Sequence, residues 1–276
     1  MTQHAAALTY YVLMSLFPAG LVAVSLLGIL GQYPDTYDAI VGYLRDVAPS
    51  SVVDPIDRAL QDAFQSKGTA TTALLVSIPV ALYGTTGALE ACRRALNVVF
   101  ELEGPGRGFI RRKLVDTGST VVLMAIVLAS LVMVFVGGSF AHDLLGFIGL
   151  GDTGARVWNV IRWPGALAAA MLAFAFVYYV TPDVHPRGFH WLTPGAVVGV
   201  LVWLAATVGF NLYLSHVPDV GALYGAFAGA ILLIVWLWMT NVALLLGAEL
   251  NAEIEREKEV AEGVPAGSTL NRPTRG

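Results

Sequence analysis

Between Asp219 and Glu249 the sequence reads VGALYGAFAGAILLIVWLWMTNVALLLGA, residues 220–248, without one Asp, Glu, Lys, Arg or His. An α-helix rises 1.5 Å per residue, so about 20 apolar residues cross a hydrocarbon core of roughly 30 Å. This stretch exceeds that length. A helix is also the one single-segment structure that pairs all its own backbone polar groups inside lipid. Five more runs without an ionisable side chain lie between His4 and Asp35, Lys67 and Glu90, Asp116 and His142, Arg162 and Asp183, and His190 and His216. The reading is an all-α, polytopic membrane protein with six transmembrane helices, at about 5–30, 69–89, 117–141, 163–181, 193–215 and 224–248. The first run lacks a positive segment before it and is too long for a secretory signal, so it is read as a mature helix.

Composition agrees. The 276 residues are 56% hydrophobic and 13% charged, against roughly 25% charged in a soluble domain. A soluble enzyme, a disulfide scaffold and a disordered chain are excluded. The single cysteine, Cys92, cannot form an intrachain bridge. A net charge of −4 gives no general attraction to nucleic acid.

Orientation follows from Lys and Arg in the connections, which are retained on the cytoplasmic side. The termini and even-numbered loops together hold eleven: six from Arg93 to Lys113, then Arg187, Arg256, Lys258, Arg272 and Arg275. The other side holds five: Arg45, Arg58, Lys67, Arg156 and Arg162. Both termini are therefore expected in the cytoplasm.

Two connections carry features of their own. In residues 31–68, Tyr37, Ile40, Val41 and Leu44, and then Val53, Ile56, Leu60 and Phe64, recur at helical spacing with Asp residues between them. They predict two short amphipathic helices separated at Pro49, outside the membrane and against the bundle. The second connection holds Arg107, Arg111, Arg112 and Lys113 beside a Gly104-Pro105-Gly106 break. These four residues are candidate contacts for anionic lipid headgroups, and topology setting alone would also account for them. After a charged stretch through Glu262, residues 263–276 are Pro-, Gly- and Ser-rich and read as a disordered cytoplasmic tail.

The residues give no support for catalysis. His4, His142, His185, His190 and His216 lack the spacing of a helical zinc pair, and no hydrolase, zinc-protease, phosphate-loop or dinucleotide motif is present. No catalytic residue, metal or cofactor is assigned. Glu90, Asp116 and Glu249 stand at span ends, where snorkelling or pairing with Arg93, Arg112 or Lys113 would suffice; a coupling-ion role is the alternative. Ser15, Pro18, Pro79, Asn211 and Asn241 lie within spans. Polar groups there bond between helices or line a substrate path, and prolines kink helices near transporter cavities. Gly195 and Gly199 open the fifth span, and Gly221, Gly225 and Gly229 enter the sixth at four-residue intervals. Small residues so spaced let helices approach closely, either within the chain or across a dimer face.

Several short runs resemble one family. They are Ala5-Ala6-Ala7-Leu8-Thr9-Tyr10-Tyr11 with Ser15-Leu16-Phe17-Pro18, Ala95-Leu96-Asn97, Tyr178-Tyr179 with Pro182, and Trp191 with Pro194-Gly195-Ala196. Trp203, Phe210 with Tyr213, Tyr224-Gly225, Trp236 and the run Leu246-Gly247-Ala248-Glu249-Leu250-Asn251-Ala252-Glu253 complete the pattern. The chain is similar to the YihY/BrkB membrane-protein family over nearly its whole length. The resemblance implies a bacterial inner-membrane protein with six spans and a role in envelope integrity. That role includes serum resistance in one member and a suspected movement of lipid or lipopolysaccharide precursors in others. Members have carried a ribonuclease BN label, but nothing here resembles a nuclease centre. The family usually places an amphipathic stretch before the first span, whereas this chain begins almost at the span.

Three functions compete. A transporter or facilitator of a lipid-like amphiphile fits apolar spans without buried charge, kink-prone helices and a basic inner rim. A non-transporting scaffold for envelope machinery would dock partners on the outer loop. A membrane-embedded hydrolase has the least support, for want of a nucleophile, base or metal set. Expected partners are membrane lipids, anionic ones among them, and a second copy of the chain or an envelope protein. Nucleic acid is not among them.

Overall fold

A computed structural model describes residues 1–15, 37–38, 41–42, 45, 54, 57–58, 61, 67–101, 108–135, 151–182, 193–216, 228–261 and 263. Among them the regular structure is entirely helical. Helix α1 covers residues 2–15. It is followed by α2 (Lys67–Val99), α3 (Phe109–Phe135), α4 (Gly151–Val180), α5 (Pro194–His216) and α6 (Ala228–Ala261). Three described stretches, Arg156–Val180, Pro194–His216 and Gly229–Ala261, are long and apolar enough to cross a membrane.

The helices outrun the ionisable-free stretches. Helix α4 begins at Gly151, well before the span expected from 163, and includes Arg156, Arg162 and Pro164. Charge limits where a helix can sit in lipid, but it does not end the backbone ladder. Pro164 removes the N–H that would bond the Val160 carbonyl, and Pro79 does the same to Leu75 inside α2. Helix α6 likewise continues past Glu249 to Ala261.

Helix ends show why they stop. Thr193 caps α5: its hydroxyl accepts from the Ala196 N–H at 3.1 Å, and Pro194 occupies the first helical position, where no N–H is required. Helix α2 closes through a turn in which Phe100 N–H bonds Leu96 O and Glu101 adopts a left-handed φ of 51°. The Glu101 carboxylate then meets Arg256 at 2.6 Å, tying this turn to α6.

The chain divides into two compact units. One consists of Met1, Cys92–Ala205 and Val242–Gly276; the other of Thr2–Ala91 and Ala206–Asn241. In the first, Leu96, Ala196, Val200, Leu245 and Ala248 are completely buried, and α3 packs along α4. A buried ion pair joins α2 to α3: Arg93 Nη1 donates to both Asp116 carboxylate oxygens, at 3.0 and 2.9 Å. In the second, Ala5 and Leu8 of α1 are buried, and the Tyr11 ring lies against Gly87 of α2.

Outside the long helices, Tyr37, Asp38, Val41, Gly42 and Arg45 are helical, as are Asp54, Asp57, Arg58 and Gln61. Tyr37 donates its hydroxyl to Asp57, Gln61 donates to the Tyr37 oxygen at 2.9 Å, and Arg45 pairs with Asp57 at 3.0 Å.

Candidate functional site

Two sites stand out in the first unit, one closed and one open. The closed one is where α4, α5 and α6 meet. Gly195 of α5 and Gly247 of α6 bring backbone against backbone, and a Cβ on either would overlap the carbonyl oxygen of the other. Small residues at such crossings allow van der Waals approach that no larger side chain permits. Gly199 faces Phe174, the Tyr178 hydroxyl and the Ala243 carbonyl. Tyr178 donates its hydroxyl to the Leu244 carbonyl at 2.6 Å. One turn further along α6, Asn251 accepts from the Gly195 N–H at 2.9 Å and donates to the Thr193 hydroxyl at 3.1 Å. Polar groups here are matched to one another, so this site holds helices together.

The open site lies between α3 and α4. A cavity of about 940 Å³ is walled by Val121, Ala125, Ala129 and Met133 on α3 and by Gly165, Ala168 and Leu172 on α4, among others. The α3 residues recur every fourth position and so line one face. The cavity exists because Ala and Gly stand where larger side chains would fill the interhelical space. At one end the helices are pinned: Ser130 donates to the Ala166 carbonyl at 3.3 Å, and Met133 sulfur would lie 2.9 Å from a Cβ on Gly165. Ala125 and Ala168 are exposed, as are Val121 and Val122, so the cleft opens at the side of the helix pair.

The residues singled out in sequence are placed as follows. Ser15 bonds the Val12 carbonyl of its own helix at 2.8 Å. Asn241 is buried and donates to Thr9 at 3.1 Å, while Thr9 in turn donates to Ala5 O. Pro79 and Asn211 are exposed. Among the described residues no hydrogen bond joins these four to one another. Arg111 and Lys113 are exposed and Arg112 is half-buried; all three have interaction partners. Gly195 and Gly199 sit in the closed site, and Gly229 is exposed near the start of α6. Pro18, Arg107, Gly221 and Gly225 lie outside the described residues.

Sequence reasoning did not single out the cleft. Its signals were present in the alanine-rich run Gly165–Ala170 and in Ala125 and Ala129 four apart. Ordinary packed interfaces have the same composition. Among the described residues no group of three His, Cys, Asp or Glu could hold a metal ion.

Apolar spans, a glycine-mediated helix crossing and a laterally open apolar cleft define the class: a polytopic, all-helical membrane protein. The chain belongs to the virulence factor BrkB family, whose model matches residues 1–269. It is 25% identical over 260 residues to a ribonuclease-like protein, YfkH, of Bacillus subtilis, covering 94% of this chain and 92% of that one. It is also 24% identical to a UPF0761 membrane protein of Laribacter hongkongensis, covering 91% of this chain and 57% of the relative. With a UPF0761 membrane protein of Rhodospirillum centenum the identity is 27%, over 91% of this chain and 53% of the relative. The chain thus spans little more than half of these two longer relatives. No solved structure matches it.

Proposed function

We propose that this protein facilitates movement of a lipid-like amphiphile in the bacterial inner membrane, without catalysing a covalent step. The observation that carries this reading is the apolar cleft between α3 and α4, a space of about 940 Å³ reached from the side. A solid bundle would serve a scaffold; a lateral cleft with no polar wall suits an acyl chain leaving and re-entering the bilayer. The proposal includes six spans with both termini cytoplasmic, following the excess of Lys and Arg on that side. In that orientation Arg107, Arg111, Arg112 and Lys113 would attract anionic headgroups at the inner leaflet at about 1 kcal/mol each.

The test is translocation in proteoliposomes. Fluorescent phosphatidylcholine in the inner leaflet is protected from dithionite until it crosses. The protein is expected to accelerate its loss of protection, and A168W, which fills the cleft, is expected to abolish the acceleration. Absence of acceleration by the parent protein across several lipid classes would overturn the reading and leave the scaffold.

A further inference from the structure

We infer that the α3–α4 cleft is a site for one anionic phospholipid, its acyl chain along the Ala125–Ala168 walls and its phosphate at Arg162 and Arg156. This deepens the lateral-cleft reading and rests on it.

The pinned end of the cleft is marked by Met133, Pro164 and Gly165. On α4, Arg162 and Arg156 follow beyond Pro164, about 3 and 12 Å further along the axis at 1.5 Å per residue. The Arg162 guanidinium lies over the Trp163 ring, 5.3 Å from its centroid, and its Nε is buried with no hydrogen-bond partner among the described residues. Stacking on an aromatic face leaves a cation its full charge. Arg156 is exposed. Neither arginine has a carboxylate partner among the described residues, whereas Arg45, Arg93 and Arg256 all do. Trp163, 58% exposed, stands at the same level and has the amphipathic ring that settles at headgroup depth.

The site is therefore a long apolar slot with a cationic end that no carboxylate neutralises among the described residues, complementary in charge and polarity to a lipid that joins an acyl chain to a phosphate. A small soluble anion would use the arginines and leave the slot empty. An uncharged lipid would use the slot and gain nothing from the arginines. Guanidinium suits the phosphate oxygens because its N–H groups form a fixed fork.

The experiment places the full chain in nanodiscs of phosphatidylcholine containing a minority of phosphatidylglycerol, extracts it with mild detergent and quantifies retained lipid by mass spectrometry. Retained lipid is expected to be enriched in phosphatidylglycerol. R162Q should lower the enrichment about fivefold, the equivalent of roughly 1 kcal/mol for one arginine near the surface, and R156Q/R162Q should lower it further, with total lipid little changed. A168W should reduce both lipids. Ala125 and Ala168 are exposed, so A125F gives a second cleft-filling variant that displaces no buried atom.

Unchanged enrichment in R156Q/R162Q would overturn the headgroup assignment. Parental lipid retention in both A168W and A125F would overturn the cleft as the site. Competition by inorganic phosphate alone, without loss of phosphatidylcholine, would assign the arginines to a free anion and overturn the proposal. Selective retention without translocation in proteoliposomes would sink the facilitator reading and leave this site standing.

Discussion

Asn251 on α6 completes the amino-terminal cap of α5 by holding Thr193 and Gly195 at once, the first through its amide N–H group at 3.1 Å and the second through its oxygen at 2.9 Å. Two of the donors that every helix leaves unpaired at its start, those of Gly195 and Ala196, are thereby met by one side chain from outside the helix and one from Thr193. Asn251→Ala is expected to destabilise the detergent-solubilised protein by about 1–2 kcal/mol, the range for a lost cap and an unpaired donor. Asn251→Asp keeps the acceptor for Gly195 and places negative charge at a helix start, so it should cost less. Equal melting of the two variants would refute this account.

Glycines should divide by their surroundings. Gly195→Ala and Gly247→Ala each drive a methyl into a facing backbone carbonyl, which no rotamer change relieves, and a loss of about 3 kcal/mol or more is expected, at or beyond the usual cost of overpacking. Gly118 and Gly209 have nothing within 4 Å of an added Cβ. There the alanine variants should be neutral or more stable by about 0.5–1 kcal/mol through helix propensity. Thermal unfolding of the four variants side by side decides the matter.

Arg93 and Asp116 should behave as a unit. Their side chains are 4% and 10% exposed, so removing Arg93 leaves the Asp116 carboxylate buried without its guanidinium, at about 3–5 kcal/mol. Asp116→Leu and Arg93→Met are each expected to lower folded yield sharply, while the double variant Arg93→Met/Asp116→Leu should recover much of it. Additive losses across this cycle would argue that the two charges act independently.

Orientation is testable with single cysteines in a Cys92→Ser background. Cysteine at Ser51 should react with an impermeant thiol reagent added to intact cells, and cysteine at Ser268 should not. The reverse pattern would invert the proposed topology.

Tyr37 gives a pH-dependent signal. Donation of its hydroxyl to Asp57 raises its pKa above the ordinary 10.0, because ionisation would place phenolate against carboxylate. A raised folded pKa means the tie contributes fully below pH 10 and is lost as pH rises through the folded value. In the phenolate absorbance titration, Asp57→Asn should bring one late-titrating tyrosine back toward the ordinary value. A titration curve indifferent to Asp57→Asn would remove the tie.

The all-helical membrane class was legible because it depends on one property, the absence of ionisable groups over lengths set by lipid. The start of α5 was also marked locally, by Thr193-Pro194 before an apolar run. The start of α4 was hidden, because Arg156 and Arg162 interrupt the apolar run while leaving the helical ladder intact. Asn251, one turn beyond Gly247, read as part of a charged carboxy-terminal stretch; its task depends on a helix end 56 positions away. The cleft was illegible for a related reason. Ala125 and Ala168 have the composition of tight packing, and only the course of α3 past α4 shows that they are left uncovered.

The Arg256–Glu101 pair and the Asn251 cap set an order of biogenesis. The turn that closes α2 and the start of α5 leave the ribosome before α6, the helix to which their partners belong. Until α6 has been inserted, Gly195 lacks its Asn251 acceptor and the face that receives Gly247 is bare, so a nascent chain stopped short of α6 displays an unfinished surface of the kind that chaperones and proteases act on. Insertion of α6 is thus the step that completes the α5 cap and closes the Gly195–Gly247 crossing.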